Sequence, residues 1–203
     1  MPKSPDQISP VQQPQQSTFG MTDEAVVSFA PGATDGGVNF TDEGYMPVNM
    51  KTLSGGALHV PAGLDGVFLH YTATGEQYQT GAGGAIIKYT GLSYDLVGYK
   101  GNVTFGHDSS GALTVTGSLK QTFEIAHGGT SSGQLVLDGS GVGGTVDVSV
   151  LVGSQSVGTM DIAVHHDLNQ IGPVFTDFGT GPVQTGLTLD QGQATATFYP
   201  KVA

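Results

Sequence analysis

The chain has 203 residues, of which 33 are glycine, none is cysteine or tryptophan, and only 11% are charged, with a formal net charge of −11. That length suits one domain, or one domain with an arm. Every one of the 6 basic residues is a lysine, so the chain is set against nucleic-acid backbones and anionic membrane surfaces, and without cysteine it has no disulfide, zinc thiolate or thiol nucleophile.

Residues 1–22 read as an extended arm. Pro2, Pro5, Pro10 and Pro14 fall in a glutamine-rich stretch, and each proline removes a backbone donor and fixes φ. An extended or polyproline conformation follows, with a reach of ~3.1 Å per residue. Pro5, Ile8, Pro10, Val11, Pro14 and Phe19 are its expected contacts with another subunit. Residues 1–20 hold no apolar run, so no signal peptide is read there. The expectation is either cytoplasmic synthesis or a leader already trimmed. No stretch approaches the ~20 apolar residues of a spanning helix.

Residues 23–203 read as a single antiparallel β domain. "AVVSFA" (25–30) is a short strand and "PGATDGG" (31–37) a loop, while "VNMKTL" (48–53) and "GALHV" (56–60) suit edge strands. From residue 66 the alternation is plain. In "ALTVTGSLKQTFEIA" (112–126), Leu113, Val115, Leu119, Phe123 and Ile125 share one face of a half-buried strand. The same period of two buries Val146, Val148, Val150 and Val152, then Met160, Ile162 and Val164, then Ala194, Ala196 and Phe198. "HDSSG" (107–111), "DGSGVGG" (138–144) and "GSQS" (153–156) carry turn chemistry. No helix is expected beyond one turn in "DLNQIG" (167–172). The fold class is therefore all-β: an antiparallel β-sandwich or β-barrel, meander or Greek key, of roughly ten strands.

The most reactive-looking residues are His165, His166 and Asp167, with Asp161 on the same polar strand face as His165. A metal site or a His–Asp relay is one reading. Adjacent strand residues point to opposite faces, so the two histidines do not easily share a metal, and a solvated strand end accounts for them. Asp108, in a turn, reads as a cap on the turn backbone. His70, between Phe68 and Thr72, suits a lumen-facing place in a barrel. No serine sits in a nucleophile elbow, and "GAGGA" (81–85) lacks the lysine and helix of a phosphate loop. The aspartates do not follow calcium-loop spacing, so no cofactor is expected, with surface calcium bridging loops as the exception to watch. Tyr89, Tyr94 and Tyr99 suit a binding face, since tyrosine is favoured at interfaces; ordinary cross-strand packing is the alternative. "NFT" (39–41) and "NVT" (102–104) are glycosylation sequons.

Three function classes follow, in this order. The first is a structural subunit of a larger assembly, such as a phage or virus decoration, cement or tail component, which docks through its arm on other protein subunits and lives in a virion or outside the cell. An arm of this composition orders itself only when it docks, and a sheet edge would satisfy its backbone. The second is a secreted or periplasmic module binding a small apolar ligand or a glycan. The third is a cyclase or isomerase on a β-barrel, which would gather at least two of His70, His107, His165 and His166 with a carboxylate in one pocket.

Overall fold

The computed structural model describes residues 15–30, 37–48, 58–80, 84–130, 132–138, 141–167, 171–177 and 183–201. Ten strands account for nearly all of them: β1 (Gln15–Ala30), β2 (Val38–Val48), β3 (Gly66–Gln79), β4 (Ala85–His107), β5 (Leu113–Thr130), β6 (Gly133–Asp138), β7 (Gly141–Val152), β8 (Gln155–Asp167), β9 (Ile171–Asp177) and β10 (Val183–Pro200). All pairings are antiparallel, and no helix occurs among the described residues. No helix there is long and apolar enough to cross a membrane. The protein is thus all-β, of the antiparallel sandwich-or-barrel class.

The order β1-β2-β3-β4-β5-β7-β8-β10 returns on itself, because β1 pairs with β2 on one side and β10 on the other. β6 stands between β4 and β7, with Ala85↔Leu137 on one side and Leu137↔Val142 on the other. β9 lies along the first half of β10 and β8 along the second. A period of two then sends one set of side chains inward along every wall. Val67, Leu96, Ile125, Ala126, Leu135, Val146, Val148, Val150 and Phe198 form a single buried cluster. Val150 is wholly buried, and such burial contributes roughly 1.5–3 kcal/mol relative to exposure. Leu58, Val60 and Leu64, ahead of β3, pack on the same cluster.

Several expectations change. Residues 15–22, read as the end of the arm, have their backbone in β1, with Gln15↔Phe198 and Phe19↔Ala194. Pro5, Ile8, Pro10, Val11 and Pro14 lie outside the described residues. Residues 58–60 are not a strand; their apolar side chains instead close over the core. In β5, Ile125 is buried, but Val115 and Leu119 are 49% and 48% exposed. The reason is that residues 113–119 pair only with β4 residues 101–107, as a two-stranded ribbon beyond the end of β3. Val152, at the turn into β8, is likewise exposed.

Candidate functional site

The interior is not uniformly apolar. Alternation on β1 puts Asp23 on the same inward face as Ala25, and alternation on β2 puts Asp42 between Phe40 and Gly44. Tyr71 on β3 points between them. Its hydroxyl donates to Asp23 Oδ2 at 2.7 Å and lies 3.4 Å from Asp42 Oδ1. Asp23 is the buried charged residue of this interior, and its Oδ1 has no hydrogen-bond partner among the described residues. Tyr89 lines the same region from β4, edge-on to Phe40 with ring centroids 5.6 Å apart.

Burial dominates the electrostatics. It pushes the Asp23 carboxyl up to about 7, against the pull of the Tyr71 hydrogen bond, and the Glu24 charge adds to the rise. Asp42 keeps some surface, yet its carboxyl is crowded by side chains. Burial, and then the Asp23 charge, raise it well above the usual carboxylate range. The hydroxyls of Tyr71 and Tyr89 are raised by burial and then by the two aspartates. Two carboxylates this close do not both ionise readily. One proton on Asp42 gives each contact a donor: Asp42 donates to the Tyr71 oxygen, and Tyr71 donates to an ionised Asp23. The chain Asp42–Tyr71–Asp23 then carries one negative charge.

A second constellation lies on the outer face. Tyr45 is stacked on His70 at 4.7 Å and on Phe105 at 4.9 Å. Phe68 meets Phe105 at 5.0 Å and Tyr99 at 5.9 Å. Phe105 belongs to the β4–β5 ribbon, which folds back over β2 and β3. This is why Phe68, on the outward parity of β3, is only 9% exposed. The ribbon turns at Gly101 and Gly117, whose φ values are +131° and +102°, a region open to glycine and strained for other residues. Asp65 Oδ2 accepts the Gly101 N–H at 2.7 Å and pins the root. At the far end His107 is buried between two acceptors, with Nδ1 3.1 Å from Glu24 Oε2 and Nε2 2.8 Å from the Ala25 carbonyl. A carbonyl only accepts, so Nε2 carries the hydrogen of that bond. In the turn that follows, Asp108 Oδ1 accepts from Ser110 N, Ser110 Oγ and Ala112 N, and these bonds lower its pKa.

The tyrosines expected on one face are divided. Tyr94 is in the core and donates to the Ser149 carbonyl at 3.0 Å; Tyr89 faces the acidic interior; Tyr99 is outside, under the ribbon's root. His70 is on the outer face, 3.2 Å from Glu43, and not in the lumen. His127 pairs with Glu124 at 2.8 Å. On β8, Asp161 accepts a hydrogen bond from Tyr199, and His165 is exposed beyond it. The side chains of His166 and Asp167 are outside what the structure describes. His70, His107, His127 and His165 therefore each keep separate company. No group of three or more metal-ligating side chains occurs among the described residues.

Sequence reasoning missed Asp23 and Asp42. The signal was present: extending the "AVVSFA" strand two residues back puts Asp23 on the face of Ala25. No family model matches this chain, and no curated protein or solved structure matches it.

Proposed function

We propose that this protein is a structural subunit of a larger assembly, of the decoration, cement or tail type found in phage and virus particles, and that residues 1–14 of one copy dock on a neighbouring copy. The observation that carries the reading is the outer edge of β5. Among the described residues, β5 pairs with β4 along its length and with β7 only at His127↔Leu151. Residues 113–124 therefore present backbone donors and acceptors on a ribbon that also exposes Val115 and Leu119. An unpaired strand edge with apolar side chains is a template for strand addition. A proline- and glutamine-rich segment could add to such an edge as an extended strand, satisfying its remaining backbone groups there.

The closed pairing supports the same reading, since a stiff body is what an assembly element requires. Its setting would be the virion or the extracellular medium, and its partners other protein subunits. The test is a double substitution on the ribbon, Val115→Lys with Leu119→Lys. Both sites are half exposed, so the fold should persist while assembly fails, because charges on an edge strand oppose pairing. Normal assembly of the double variant would remove β5 as the docking edge.

A further inference from the structure

We propose that the interior cluster of Asp23, Asp42 and Tyr71 is a binding site for a small monovalent cation bearing N–H donors, an ammonium or primary amine, held chiefly by Asp23 Oδ1. Three features of the site point there. The first is the oxygen itself. Asp23 is 5% exposed, and its Oδ1 lacks a partner while its Oδ2 is taken by Tyr71. A buried acceptor without a donor is costly, and an N–H donor supplies what it lacks.

The second is charge. Among the described residues, the charges acting on this pair are Glu24 on Asp23 and Asp23 on Asp42, all of one sign. With one proton shared through Tyr71, the cluster carries a single negative charge, which a monocation neutralises. The third is the donor set and the wall. Asp23, Asp42 and Tyr71 offer too few oxygens for calcium, which takes 6–8, and no cluster suited to a metal ion is found among the described residues. Tyr89 and Phe40 bring aromatic rings to the same region, and rings attract ammonium-type cations.

Proton and cation compete for this site. Among the described residues, the ionisable groups facing it are Asp23 from β1, Asp42 from β2, Tyr71 from β3 and Tyr89 from β4, with Glu24 on the opposite side of β1. Binding therefore weakens as pH falls and both carboxyls become neutral.

The test uses the full chain and methylammonium chloride as the probe, with tetramethylammonium chloride and sodium chloride at matched ionic strength. A ligand that binds only the folded state raises the thermal midpoint with saturation. Methylammonium should do so at about pH 8 and not at about pH 5; the two control salts should not. Asp23→Asn should abolish the saturable shift at either pH, whereas Asp42→Asn, which exchanges a protonated carboxyl for another neutral donor to Tyr71, should keep it at about pH 8. The comparison of pH values needs no variant, so a failure of either variant to fold leaves the test intact. An identical response to all three salts, or a methylammonium shift undiminished at about pH 5 or in Asp23→Asn, would overturn the assignment.

Discussion

Asp23, with Asp42 and Tyr71, interrupts a wall that Ala25, Phe40 and Ala73 line with apolar groups, and its ionisation sets a pH dependence on folding. The native pKa of about 7 stands above the ordinary aspartate value of 3.8. Between those values the folded chain binds more protons than the unfolded chain. Its stability therefore falls as pH rises through that window and levels off above it, by up to about 1.4 kcal/mol per pH unit for one group. Asp42, also raised, acts with the same sign. Asp23→Asn should flatten the slope and stabilise the protein near neutral pH, measured by urea unfolding from about pH 4.5 to about pH 8. An unchanged slope would place the titration elsewhere. Tyr71→Phe removes the hydroxyl that serves both acids and should cost roughly 1–3 kcal/mol, read in the same unfolding series. The pair was hidden in the sequence for a physical reason. Asp23 and Tyr71 are 48 positions apart, and a carboxylate beside a proline-rich segment reads as solvated until strand parity turns it inward. Asp108 was legible because its partners, Ser110 and Ala112, are two and four residues away.

The β4–β5 ribbon is the element on which sequence and structure part most clearly. Long alternation over residues 112–126 implies a half-buried strand, and for Phe123 and Ile125 that holds. Beyond the bulge between Lys100 and Gly101 the same alternation serves a two-stranded ribbon, so Val115 and Leu119 have a partner on one side and solvent on the other. Alternation reports that a strand has two faces; it does not report how many strands lie beside it. The β7 pattern was legible up to Val150 because β8 pairs with it in unbroken register from Gly141 to Val150. Two substitutions test how the ribbon is held. A Cβ at Gly101 would lie 1.9 Å from the Ser118 carbonyl oxygen, so Gly101→Ala should strain the root and lower stability by more than the ~1 kcal/mol of an ordinary glycine effect. His107→Ala removes both contacts at the far end and leaves Glu24 without this partner. It should cost about 2–3 kcal/mol and raise amide exchange across residues 101–119 ahead of the core strands. Exchange in that segment equal to wild type would mean that Phe105, packed on Tyr45 and Phe68, holds the ribbon by itself.

At the scale of the molecule, the strands close through β1 and β10, and β1 begins at Gln15. Removing residues 1–22 would take a paired stretch of β1 with it, whereas removing 1–14 leaves every described pairing in place. The acidic, cysteine-free composition was readable at once, and so was the antiparallel β class. The closure was not, because it joins the two ends of the chain and no local pattern records it. On the proposed function, residues 1–14 link one copy to another on a body that folds without them. Native mass in solution, measured by light scattering for the full chain and for the chain beginning at Gln15, tests it directly. The full chain should form a multimer and the shortened chain a folded monomer with the same β-sheet spectrum. A shortened chain that assembles as the full one does, or a full chain that stays monomeric at high concentration, would contradict the account.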